Sequence, residues 1–128
     1  MEVSTHRGAG PLQQVITIGP HTLLTDASVE AGGQASGPLP HDLLAAALAA
    51  CTTLTLNLYA ERKGWQLDEV RVAITHGQEG DAYALHRRIE LIGALGAEEK
   101  ERLMTIANQC PVHKTLSGRI AITTEAAS

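Results

Sequence analysis

The sequence predicts an α+β fold, with an antiparallel sheet laid on one long central helix. Three features carry that expectation. From Pro40 to Lys63 the chain is rich in Ala and Leu and free of helix breakers, and Gly64 follows as a stop. Before this run two short apolar-rich stretches flank Gly19-Pro20, and after it apolar and polar residues alternate, which is the period of a half-buried strand. The alternating runs lie next to one another in sequence and are separated by short Gly, Pro or Asp turns, so hairpins rather than parallel crossovers join them.

In chain order, "LQQVITIGPHTLLTD" (12–26) holds two short apolar-rich runs around Gly19-Pro20, a hairpin signal. "ASVEAGGQASGPLP", rich in Gly, Ser, Ala and Pro, reads as a loop. Pro40 pre-sets a first helical turn, and Asp42 places negative charge near the positive end of the helix. Leu44, Leu48, Cys51, Thr55 and Leu58 fall on one stripe at helical spacing. Alanines at 45, 46, 47, 49 and 50 make the first half apolar all round, as in a helix packed on several sides. In "EVRVAITHG", Val70, Val72 and Ile74 alternate with Arg71, Ala73 and Thr75, and "AYALHRRIELIG" is its hairpin partner across "GQEGD". Beyond Gly96, residues Leu103, Ile106, Ala107 and Cys110 keep the spacing of a helix face. Pro111 interrupts, "VHKTL" starts a short helix that Gly118 ends, and "RIAITT" reads as a final strand with Ile120 and Ile122 on one face.

At 128 residues the chain fits one domain, residues 1–128, with no internal repeat or linker. It is 44% hydrophobic but only 2% aromatic, with no Phe, so the core is aliphatic. A net charge of -4 with dispersed Arg and Lys argues against nucleic acid as a partner. The N-terminus "MEVSTHRGAG" lacks the apolar stretch of a secretory signal. The longest apolar run, "LLAAALAACTTLTL", is shorter than the roughly 20 residues of a membrane span. A cytoplasmic location is the expectation, where a disulfide would be transient and functional rather than structural.

The chain has two cysteines, Cys51 in the Ala-rich helix and Cys110 in "ANQCPVHKTLSG". Judged locally, Cys110 has the better claim to reactivity. With Pro111 at the first helical position, Cys110 becomes the N-cap, where backbone N–H groups and the helix dipole lower a thiol pKa. His113, three residues on, can point back toward it. Cys51, buried mid-helix, should have a raised pKa unless the fold brings a positive charge to it. Free cysteine also serves as a small buried hydrophobe, so an inert core role stands beside the reactive one for both. A metal site from Cys51, Cys110, His113 and His41 has no CxxC or HxxxH spacing behind it, and neither metal nor cofactor is expected.

"GPLPHDLLAAALAACTTLTLNLYAERKGWQLDEV" resembles the central-helix segment of the OsmC-like family, the osmotically induced and organic hydroperoxide resistance proteins. "ANQCPVHKTLSG" resembles the segment holding that family's second cysteine, and "YAERKGW" and "CPVHKTL" are similar to its short, YhfA-like branch. The resemblance implies an intertwined homodimer with two sites at the subunit interface. It also implies a thiol peroxidase that reduces organic hydroperoxides in oxidative stress defence. By position, Cys51 resembles the cysteine that becomes a sulfenic acid, and Cys110 the one that condenses with it to a disulfide, which a dithiol reductant reopens. This reverses the assignment drawn from the helix dipole.

Organic hydroperoxide resistance members carry an activating Arg in an N-terminal loop, oriented by a Glu just before the central helix. Here His41 stands at the Glu position, and Asp42 matches the acidic residue of the short branch. Arg7 is the only Arg before the helix, and its context does not match. Arg87 and Arg88 rank above it as candidates, because a strand packed on the helix holds a side chain better than an N-terminal segment. The alternative to an enzyme is an OsmC-like protein that binds a small molecule or responds to thiols without turnover.

Overall fold

A computed structural model describes residues 1–128. Its elements are β1 (Val3–Arg7), β2 (Gln14–Ile18), β3 (His21–Thr25), α1 (Pro40–Lys63), β4 (Gln66–Glu79), β5 (Ala82–Ala94), α2 (Ala97–Ala107) and α3 (Pro111–Ser117). The class is α+β and every strand pair is antiparallel. The strands form two sheets, β1-β2-β3 and β4-β5, where the sequence suggested one. The chain divides into two compact units, Met1–Leu44 and Ala45–Ser128.

The first unit is a three-stranded meander followed by a loop. The expected hairpin is β2–β3, with Ile18 opposite His21. Strand β1 was not legible in sequence, because "VSTHR" has no apolar alternation and all five residues are exposed; pairing with β2 alone makes it a strand. Asp26 organises the loop that follows. Its carboxylate accepts from the Ser36 hydroxyl at 2.6 Å and from the backbone N–H groups of Ala27, Gln34 and Ser36. These bonds, led by the Ser36 hydroxyl, hold its carboxyl well down, at about 2.

Helix α1 starts as its sequence dictates. The Asp42 carboxylate reaches back to the Leu39 N–H at 2.9 Å, half of a capping box around Pro40. The helix ends where Gly64 takes φ +70, a left-handed conformation that glycine adopts without steric cost. The face it buries is Ala45, Leu48, Thr52, Leu56 and Ala60. This corrects the expected stripe: only Leu48 is common to both, and Leu44 and Leu58 are 42% and 52% exposed. A helix apolar on all sides does not encode its own rotation; the partners packed on it do. Within the chain those partners cover one side, not several. By length and composition alone α1 is apolar enough to cross a membrane, yet Leu56 and Ala60 are packed into a protein core.

That core lies in the second unit, where Leu56, Ala60, Val70, Leu103 and Ala107 form one buried cluster. The β4–β5 hairpin presents Val70, Val72, Ile89 and Leu91 to it, while Arg71, Ala73, Arg88 and Glu90 face outward, the alternation of a half-buried sheet. Leu56 and Leu103 are both fully buried, each stabilising the fold by roughly 1.5–3 kcal/mol. The hairpin carries a register shift between Leu67 and Glu69, opposite Gly93. Gly93 has φ +153, and a Cβ there would stand 2.1 Å from the Gln66 carbonyl oxygen. At α2, the expected face of Leu103, Ile106, Ala107 and Cys110 turns inward, and Glu99 accepts the Gly96 N–H at 2.8 Å.

The final strand is not formed. Residues 119–128 have no regular structure, and Ile120 and Ile122 are 55% and 85% exposed. Alternation supplies strand propensity, but a strand also needs a ladder partner, and this chain offers none to "RIAITT".

Candidate active site

The two cysteines meet within the second unit. Cys51 sits on α1 and is half-buried; Cys110 caps α3 and is fully buried. Their thiols interact with each other, and neither is in a disulfide. The start of α3 serves the pair as an amide donor set. The His113 N–H donates to the Cys110 sulfur at 3.5 Å, and the Val112 N–H acts on both thiols. The Thr55 hydroxyl stands 4.0 Å from the Cys51 sulfur.

Burial alone pushes the Cys51 thiol up. The bond from Cys110, those from the Val112 N–H and the Thr55 hydroxyl, and the charge of Arg87 outweigh it, so the thiol lies below its ordinary value. Cys110 goes the other way: burial and the bond it donates to Cys51 raise it, against the His113 and Val112 amides. Of the two thiols, Cys51 is therefore the one that ionises more readily. The N-cap geometry expected for Cys110 is present, but complete burial overrides it.

Arg87 is the cation whose charge acts on Cys51. Its Nη1 donates to the Thr52 hydroxyl at 2.9 Å, and its Nη2 donates to Asn108 Oδ1 at 3.1 Å and to His113 Nδ1 at 3.3 Å. Thr52 is fully buried and its own hydroxyl proton goes to the Leu48 carbonyl at 2.7 Å, which leaves a lone pair for the guanidinium. Arg88 is the next residue on β5, so it projects from the opposite face and is exposed. Arg7 donates to the Pro11 carbonyl at 2.8 Å. Asp42 caps α1, and His41 is exposed in its first turn. The structure thus brings together Cys51, Cys110, Arg87 and His113. Sequence reasoning missed Thr52, Asn108 and Val112. One signal was available, since a threonine beside Cys51 in an otherwise Ala- and Leu-rich helix is a polar group in need of a partner.

A cleft of about 230 Å³ adjoins His113, lined by Leu48, Tyr83, Leu85, His113, Leu116 and Ser117. No three His, Cys, Asp or Glu side chains converge as metal ligands would.

Comparison with known proteins places this geometry in a family. No curated protein sequence matches the chain. Among solved structures, an OsmC-like protein from Mycoplasma pneumoniae is 22% identical, over 91% of this chain and 86% of that one, with TM-score 0.75. The organic hydroperoxide resistance protein OhrB of Bacillus subtilis is 22% identical, over 91% and 90%, with TM-score 0.63. A Vibrio cholerae protein assigned to organic hydroperoxide resistance, with captopril bound in one of its active sites, is 26% identical over 92% and 85%, TM-score 0.65. Residues 33–125 match the family described as OsmC-like protein. That match spans well over half of the chain and includes both cysteines, and the chain belongs to the OsmC-like protein family.

Proposed function

We propose that this protein is a thiol-dependent reductase of organic hydroperoxides. One observation carries the reading: Cys51 and Cys110 interact, the first thiol lowered and the second raised, with the Arg87 charge acting on Cys51. The names of the Bacillus and Vibrio neighbours support the substrate class, and the largely apolar lining of the cleft beside His113 suits an organic group.

In this mechanism the Cys51 thiolate attacks the terminal oxygen of the hydroperoxide. An S–O bond forms, the O–O bond breaks, and the alkoxide leaves as an alcohol after taking a proton. Arg87 stabilises the thiolate first and then the charge developing on the leaving oxygen. Cys110 next attacks the Cys51 sulfenic acid; the S–S bond forms and hydroxide leaves with the Cys110 proton as water. A dithiol reductant exchanges with the disulfide, is itself oxidised, and returns both thiols.

The working form in this reading is a cytoplasmic homodimer. Leu44, Leu54 and Leu58 are exposed on α1, as are Ile120 and Ile122 in the final segment, and a second copy of the chain would cover such surface. Consumption of an organic hydroperoxide, compared with hydrogen peroxide and driven by a small dithiol, tests the function. Faster loss of the organic substrate is expected. No consumption, with the thiol count unchanged after peroxide, would overturn the peroxidase reading and favour the binding-protein alternative.

A further inference from the structure

We propose that Asn108 is a positioning residue for the Cys51 thiolate, acting through Arg87 as one of three neutral acceptors that hold the guanidinium while leaving its charge uncompensated. The proposal rests on the peroxidase reading for its purpose, but its geometry stands separately. All three contacts of Arg87 go to uncharged groups: Thr52 Oγ1, Asn108 Oδ1 and His113 Nδ1. Glu69 and Glu90 pair with Arg71, and no carboxylate pairs with Arg87. A carboxylate would hold an Arg more tightly but would cancel much of its field. Neutral acceptors keep the full charge available to the neighbouring sulfur.

The three anchors differ in what else they do. Thr52 belongs to the buried face of α1 and bonds its own helix. His113 donates its backbone N–H to Cys110 and lines the cleft. Asn108 is exposed at the C-terminal end of α2, and its side-chain bond is the one to Arg87. Its amide oxygen is the atom facing the guanidinium, because Arg donates only. Asn108 is therefore the anchor that can be removed with least disturbance of core or site.

The test is a neutral substitution measured in two backgrounds. The rate of iodoacetamide alkylation of Cys51 against pH, in full-length protein carrying Cys110→Ser throughout, reports the thiolate directly and needs no peroxide. Asn108→Ala should raise the apparent pKa of Cys51 by about half a pH unit, and so slow alkylation at a fixed lower pH roughly threefold. In an Arg87→Met background the same substitution should change nothing, because there is no guanidinium left to hold. Should Asn108→Ala be insoluble, Asn108→Ser, whose side chain is too short to span the gap, replaces it with the same expectation. An unchanged profile in the background that keeps Arg87, or an equal shift in both backgrounds, overturns the proposal. If the shift appears but wild-type protein consumes no hydroperoxide, the positioning role stands and the peroxidase reading fails.

Discussion

The guanidinium of Arg87 donates a 2.9 Å hydrogen bond to the hydroxyl of Thr52, 35 positions earlier in the chain. Thr52 is the residue next to Cys51, so this bond ties the cation on β5 to the helical turn that carries the lowered thiol. Arg87 shares its face of the strand with Ile89 and Leu91, which pack on the buried cluster. The same aliphatic packing that fixes the hairpin therefore aims the charge.

Cysteine replacement should separate two roles. Cys51→Ser is expected to abolish hydroperoxide consumption. Cys110→Ser is expected to let Cys51 accumulate as a sulfenic acid that a dimedone-type reagent traps after one equivalent of peroxide. Mass spectrometry of the trapped peptide checks this. Trapping on Cys110 in the Cys51→Ser variant would exchange the roles.

The two adjacent arginines should behave differently. Arg87→Met is expected to raise the alkylation pKa of Cys51 and to slow hydroperoxide consumption at neutral pH about tenfold or more. Arg88→Met, on the opposite and exposed face, should leave both within about twofold, since surface substitutions away from a site change little. Equal losses in the two variants would remove Arg87 from its assigned position.

Acid stability should depend on Asp26. Its carboxyl is lowered from 3.8 to about 2, chiefly by the Ser36 hydroxyl. A depressed folded-state pKa contributes stability that is complete above the unfolded value and is lost as pH falls toward the folded one. The window is therefore about pH 4 down to about pH 2. Asp26→Asn should be less stable near neutrality and show a flatter stability–pH slope across that window, measured by urea unfolding at several pH values.

Gly93→Ala should destabilise the β4–β5 hairpin by about 1–3 kcal/mol or more. Both the φ of +153 and the 2.1 Å approach of a Cβ to the Gln66 carbonyl oppose any side chain there. A fall in the urea midpoint reads it out, and an unchanged midpoint would show that the bulge relaxes at no cost.

Much of the architecture was legible in the sequence because it depends on neighbours a few residues apart. Pro40, Asp42 and Gly64 bound α1 through its own caps. Period-two alternation marked β4 and β5, and helical spacing from Leu103 to Cys110 marked the inward face of α2. Cys110-Pro111 announced an N-cap that is present. The paired cysteines and the family resemblance pointed to the same two residues that meet in space.

Only the tertiary structure decided the rotation of α1, the strand character of β1, the unpaired state of "RIAITT", and which thiol is lowered. Each turns on a partner distant in sequence: a hairpin face, a β2 ladder, a missing strand, and the Cys110 thiol ahead of an arginine on β5. Local dipole reasoning favoured Cys110 because it counted amide donors near in sequence and could not count burial. In the folded chain Cys110 is fully enclosed, and its thiol is raised while that of Cys51 is lowered. Desolvation and long-range charge set a pKa together, and both are properties of the assembled fold rather than of the segment that carries the thiol.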